Sequence, residues 1–332
     1  MKDNSIFNRV KNVLVGCCYG DALGMPTEML SHQKIKELFP FGINGFYPST
    51  KEDFFNRKLP KGSMTDDTIH TILLVETLIE NEGNVTAESY IKYLQKWYIE
   101  NIDVAESLAG PSTIKALQLI LNGCPIEKAG LLGRTNGALM KISPIGVIEN
   151  YKNLTAFVDK VEQVCLATHN TSIAISGASC IAACISYGVR GGNNIDEMWN
   201  IACKAANEGL KRGNQMPFAS IERRVKHFKN LINTKSYSEV LDLLVNVYGT
   251  TEQILDTIGA IVCAIEYGKL DIFKTSKFCA ELGADTDTIG AISTAIVGSL
   301  GASASEDDIR LLSKVNNIDF DYYTLQLMKY MK

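Results

Sequence analysis

Ile173-Ala-Ile-Ser-Gly-Ala-Ser-Cys-Ile-Ala-Ala-Cys184 and Ile289-Gly-Ala-Ile-Ser-Thr-Ala-Ile-Val-Gly-Ser-Leu300 decide the fold. Both stretches are rich in Gly, Ala and Ser, and neither carries a charge. A surface helix sets an apolar face against a charged one, whereas a helix without a polar face is buried on all sides. The same 3.6-residue spacing of apolar side chains runs through Ile69–Ile79, Ala116–Leu121, Phe157–Ala167 and Ile254–Tyr267. Strand-like alternation of useful length is missing. Turn signals separate the helical stretches at Asn81–Asn84, Asn122–Pro125 and Arg190–Asn194. Without a linker, repeat or low-complexity block, the expectation is one all-α domain over residues 1–332, with buried central helices wrapped by others. The longest non-helical stretch, Phe39–Gly62, is the kind of long loop that tends to carry function.

Composition narrows the classes. With 46% hydrophobic and 21% charged residues among 332, the chain is an ordinary globular protein, not a disordered, fibrous or disulfide-stapled one. A net charge of −4 offers no basic footprint for nucleic acid or an anionic membrane. The nine cysteines are scattered without a CxxC pair, which excludes a zinc knuckle. Free, buried thiols suit a reducing cytosol, so a cytoplasmic location is expected. Leu14-Val15-Gly16-Cys17 looks like the end of a lipoprotein signal, but its apolar run is only Val13–Val15. A signal core needs about 7–15 apolar residues, so export is not expected. Nor is a membrane span of about 18–20 apolar residues expected.

Two acidic segments stand directly ahead of apolar helices: Gly62-Ser-Met-Thr65-Asp66-Asp67-Thr68 and Gly283-Ala-Asp285-Thr286-Asp287-Thr288. Helix capping accounts for one or two acids at each start. It does not account for adjacent acids that repel each other at the mouth of an uncharged helix, where burial without a partner is costly. Buried-type Lys or Arg are few nearby. A divalent cation answers the need, because hard cations take several oxygens from carboxylates and hydroxyls. Four Asp with Thr65 and Thr288 supply enough oxygen for two ions, and the oxygen-only set suits Mg²⁺ or Mn²⁺ better than Zn²⁺. HExxH, GxxxxGK[ST], GxGxxG and GxSxG are all missing.

Taken with their order along the chain, these segments resemble the ADP-ribosylglycohydrolase family of metal-dependent helical enzymes. The matching stretches are Gly16-Cys-Cys-Tyr-Gly20-Asp21-Ala-Leu-Gly24-Met-Pro-Thr-Glu28, Thr65–Thr68, Asn136-Gly137-Ala-Leu-Met-Lys-Ile-Ser-Pro144, Thr168-His169 and Gly283–Gly290. The resemblance implies that Thr65, Asp66 and Asp67 hold two cations from one side, with Asp285, Asp287 and Thr288 on the other. It implies that Glu28 stands near the scissile bond; the alternative for Glu28 is a solvated loop acid. Gly133, Arg134, Asn136 and Gly137 resemble the loop that holds the diphosphate and adjoining ribose, where backbone N–H groups approach phosphate. His169 is either a nucleotide contact or a satisfied histidine at a helix start. Two departures stand out. Lys141 replaces an arginine frequent in the family and lacks its fork, and Asp103 or Glu106 only partly resembles an arginine-recognising region.

The implied reaction breaks a glycosidic bond through an oxocarbenium-like state, which calls for charge stabilisation and a delivered water. Glu28 would take the water's proton or assist the leaving group. The substrate would be an ADP-ribosylated protein side chain, arginine or serine, or a small molecule. The other reading is a non-catalytic ADP-ribose binder, such as an immunity protein, against which the presence of all four Asp and Glu28 speaks. The Gly20–Gly24 stretch is expected to be a loop that runs close to a ligand, with Asp21 as a structural acid that either caps a neighbouring helix or supports a ligand from behind the residues that touch it.

Overall fold

The computed structural model describes residues 2–102, 105 and 108–332. The chain runs through α1 (Lys2–Gly24), α2 (His32–Leu38), α3 (Asp66–Glu80), α4 (Ala87–Glu100), α5 (Pro111–Leu121), α6 (Ile126–Ala129), α7 (Gly137–Met140), α8 (Ser143–Ile148) and α9 (Leu154–His169). It continues with α10 (Ser172–Val189), α11 (Ile195–Gly209), α12 (Ile221–Thr234), α13 (Tyr237–Leu243), α14 (Ile254–Gly268), α15 (Ile272–Leu282), α16 (Thr286–Ser299), α17 (Glu306–Asn316) and α18 (Phe320–Met328). No β-strand occurs among the described residues, as the periodicity predicts.

The two smooth stretches are the central helices. Every residue of α10 and of α16 is buried. Helix α10 is long and apolar enough to cross a membrane by length and composition, which the sequence reading did not anticipate. Its serines interrupt the apolar run on paper, and two of them bond inside the protein: Ser176 Oγ donates to the Ala206 carbonyl of α11 at 2.8 Å and Ser186 Oγ to that of Glu149 at 2.6 Å. All 18 residues lie within the fold. The nine cysteines are free thiols, and only Cys124 is not fully buried.

One expectation fails. Gly20–Gly24 is not a loop but the last turn of α1, and its glycines serve helix packing. Helix α1 runs antiparallel to α16, with Gly16 against Thr294, Gly20 against Gly290 and Gly24 against Asp287. Residues four apart share one helix face, so this glycine row lets the two backbones touch. A Cβ on Gly290 would stand 2.5 Å from the Gly20 carbonyl oxygen, and one on Gly24 2.5 Å from Asp287 Cα. A methyl group there has no room on either side. Gly290→Ala gains about 1 kcal/mol of helix propensity but forces the helices apart, an overpacking cost of about 3 kcal/mol. The expected result is a lower urea midpoint at unchanged slope; an unshifted midpoint would contradict this packing.

Candidate active site

The same close approach builds the site. It sets Asp21, on the last turns of α1, beside the N-termini of α3 and α16. Thr65 and Asp285 occupy the N-cap positions of these helices, yet neither side chain caps its own helix. Asp21 does so for α3 from outside. Its carboxylate accepts from the Thr65 N–H (2.9 Å), Thr65 Oγ1 (2.9 Å), the Thr68 N–H (3.1 Å) and Thr68 Oγ1 (2.5 Å). Both Asp21 oxygens are thereby engaged. With the capping role at α3 filled by Asp21, neither Asp66 nor Asp67 is needed to cap that helix.

Two acid triplets result, each with ligand atoms within 4.8 Å of one another: Asp21, Asp67 and Asp287, and Glu28, Asp285 and Asp287. Asp287 belongs to both. The threonine hydroxyls lie between the acids: Thr65 Oγ1 is 3.2 Å from Asp67 Oδ2 and 3.3 Å from Asp287 Oδ2, and Thr288 Oγ1 is 3.3 Å from Asp67 Oδ2. Asp67 is fully buried, and its Oδ1 has no hydrogen-bond partner. A buried carboxylate oxygen without a donor costs free energy unless something positive meets it. An all-oxygen set with such an orphan fits a hard divalent cation. Asp66 is in neither triplet, because its Oδ2 turns to the Gly110 N–H at 3.2 Å.

Burial and mutual repulsion raise these carboxyls. Burial, then Asp287, pushes Asp285 up to about 8, and the same two causes hold Asp67 and Glu28 well above the carboxylate range. A raised folded-state value means the folded cation-free protein binds more protons than the unfolded chain between about pH 4 and pH 8. Stability therefore falls as pH rises through that window. Cation-free protein should melt lower at pH 8 than at pH 5, and Mn²⁺ should restore the loss; a Tm that rises with pH would show the acids are not repelling.

Glu28 is held beside this cluster by backbone pairing: the Met29 N–H donates to the Ala284 carbonyl (2.7 Å) and the Ala284 N–H to that of Leu30 (2.8 Å). A cavity of about 1070 Å³ opens over Glu28, Asp66, Asp285, Asp287 and Thr288. Phe54 and Phe55 form part of its wall. They come from the long Phe39–Gly62 stretch, which contains no helix. The stretch also delivers Arg57, whose Nη1 donates to Glu28 Oε2 at 2.6 Å. Arg57 is thus one of the few buried cations that stand near the acids. Nothing in the spacing marks Arg57 or its partner Asp53; only the length of the loop pointed there.

Asn136 and Gly137 line the cavity beside Thr135. Asn136 Nδ2 bridges Asp285 Oδ2 (2.5 Å) and Thr257 Oγ1 (2.8 Å), so it orients a cluster acid, a link the sequence did not reveal. Gly133 and Arg134 are not in the cavity lining. Gly133 packs on the end of α9, where a Cβ would lie 2.7 Å from His169 Cα, and Arg134 is exposed. His169 ends α9 rather than starting a helix, and it is fully buried. Its ring nitrogens meet Thr135 Oγ1 (3.0 Å) and Thr168 Oγ1 (2.8 Å), bracing the 135–137 turn from behind. Lys141 is also buried outside the cavity, where it donates to Thr168 Oγ1 at 3.1 Å; desolvation lowers it to about 8. Asp103 and Glu106 lie outside the described residues.

Known proteins resemble this chain in sequence and fold. The family model for ADP-ribosylglycohydrolase matches residues 2–318. The uncharacterized protein YegU of Escherichia coli (strain K12) is 31% identical over 331 residues, 97% of each chain. The ADP-ribosylarginine hydrolase Tri1 of Pseudomonas putida (strain GB-1) is 20% identical over 302 residues, covering 88% of this chain and 70% of that protein. A solved structure of an ADP-ribosylglycohydrolase-related protein complex has the same fold, with a TM-score of 0.69 at 20% identity over 99% of this chain and 100% of that one. Since the family match runs from the first turn of α1 past the end of α17, the chain belongs to the ADP-ribosylglycohydrolase family.

Proposed function

We propose that the protein hydrolyses the glycosidic bond between the distal ribose of ADP-ribose and an acceptor, either an arginine or serine side chain or a small molecule. The observation that carries this reading is the convergence of two helix N-termini, their acids and the orphaned Asp67 Oδ1 at the floor of a cavity of about 1070 Å³. Asp67, Asp285 and Asp287, with the Thr65 and Thr288 hydroxyls, would hold two divalent cations, Mg²⁺ or Mn²⁺. When bound, such cations supply positive charge for the ribose hydroxyls and acidify water. The chain's own residues do the rest. Asn136 orients Asp285, Phe54 and Phe55 wall one side of the cavity, and Glu28 moves the proton as water adds to the anomeric carbon and the acceptor leaves. Nine free cysteines support placing the protein in a reducing cytosol.

The test is incubation of the full chain with Mn²⁺ or Mg²⁺ and ADP-ribosylated arginine or serine peptides, with released ADP-ribose measured. Release from one peptide and not the other names the acceptor. Tight ADP-ribose binding without release from any substrate would instead support a non-catalytic binder.

A further inference from the structure

The Glu28 carboxylate is claimed from two sides. It belongs to the triplet with Asp285 and Asp287, all within 4.8 Å, which on its own reads as a third ligand for a cation. Its Oε2 also accepts from Arg57 at 2.6 Å. These demands compete, because a guanidinium in contact with a carboxylate occupies one oxygen and repels a cation at the other.

Arg57 is not drawn in by Glu28 alone. Its Nε and Nη2 donate to Asp53 Oδ1 at 3.1 and 2.6 Å, and its backbone N–H donates to Asp53 Oδ2 at 2.5 Å. The Phe55 ring lies 4.8 Å from the guanidinium carbon. The loop carrying these residues is clasped at its base: the Ser49 N–H donates to the Leu59 carbonyl at 3.0 Å and the Leu59 N–H to Ser49 Oγ at 2.8 Å. Arg57 is thus presented as a prebuilt fork. Its side chain is only 4% exposed, so the near-zero worth of surface ion pairs does not apply to it.

We propose that Arg57 is a positioning residue that keeps Glu28 out of the cation-holding set and aims it at the glycosidic bond. The inference rests on the hydrolase reading for the second half of that statement only. Asp285 and Asp287 are then left to hold the cation, and the free Glu28 oxygen carries the proton. Such a role makes a counterintuitive demand: loss of Arg57 must weaken catalysis while strengthening cation binding.

Isothermal titration with Mn²⁺ alone, on the full chain, tests the first half without any turnover. Arg57→Met should bind Mn²⁺ about tenfold tighter than wild type, because a positive charge leaves and a carboxylate is freed. Adding Glu28→Gln to that variant should return the affinity to near the wild-type value. Turnover tests the second half. Arg57→Met should lower kcat about 10²-fold with little change in KM, yet cause no further loss in a Glu28→Gln background, since two residues acting through one function are not additive. If circular dichroism shows Arg57→Met unfolded, Arg57→Lys carries the test. It keeps a charge but loses the fork, and should bind Mn²⁺ about threefold tighter with partial activity. Unchanged or weaker Mn²⁺ binding in the folded variant, or additive kcat losses, would overturn the proposal. A wild-type protein inactive on every ADP-ribosyl substrate would remove the hydrolase reading, while the Mn²⁺ comparison would still decide what Arg57 does to Glu28.

Discussion

Asp287→Asn is expected to abolish divalent-cation binding and, with it, hydrolysis, while making the cation-free protein more stable. Asp287 is the residue common to both acid triplets, so its charge serves every cation position the cluster offers. An amide keeps one oxygen but removes the negative charge that close cations need. Truncating Asp67 or Asp285 leaves one triplet intact; changing Asp287 damages both. The stability gain has the same origin. After burial, Asp287 is the largest cause raising the carboxyls of Asp21, Glu28, Asp66, Asp67 and Asp285, and its neutralisation relieves that part for all of them. The checks are Mn²⁺ titration and a melting curve in chelator. Wild-type Mn²⁺ affinity in Asp287→Asn would place the cations elsewhere. A lower Tm in chelator would show that Asp287 supports the fold and does not strain it.

Glu28→Gln should retain ADP-ribose binding and slow hydrolysis by about 10²-fold or more, the range expected for losing a positioned acid–base group. Glutamine is nearly isosteric and its amide oxygen can still accept from Arg57, so the Phe39–Gly62 loop should stay in place. Asp21→Asn behaves differently. Asp21 caps α3 through four donors, and an amide presents N–H groups where acceptors are needed. That variant should lose stability and cation affinity together. Single-turnover assays separate the two acids: unchanged turnover in Glu28→Gln, with folded but inactive Asp21→Asn, would transfer the proton-moving role to Asp21.

How far the sequence carries depends on the range of the interaction. The helices and the two buried stretches follow from local periodicity, which adjacent residues record. The acidic starts of α3 and α16 were legible because burying unpaired charge has no cheap structural explanation. The reading of Gly20–Gly24 as a loop failed because glycine spacing alone does not say whether the nearby backbone belongs to a ligand or to another helix. Here it belongs to α16. Arg57, and the tie from Asn136 to Asp285, escaped notice for a related reason. Their partners, Glu28 and Asp285, lie 29 and 149 residues away, and no local pattern encodes such a contact. Gly133 and His169 sit near the cavity without lining it, since motif order fixes neighbourhood but not the direction a side chain faces.

The most direct test of the account is one measurement: ADP-ribose released from an ADP-ribosylated peptide by the full chain, with Mn²⁺ and after chelation. The account predicts release that requires the cation, returns when Mn²⁺ is restored, and is absent from Asp287→Asn under both conditions. Equal release with and without chelator, or wild-type release by Asp287→Asn, would contradict it.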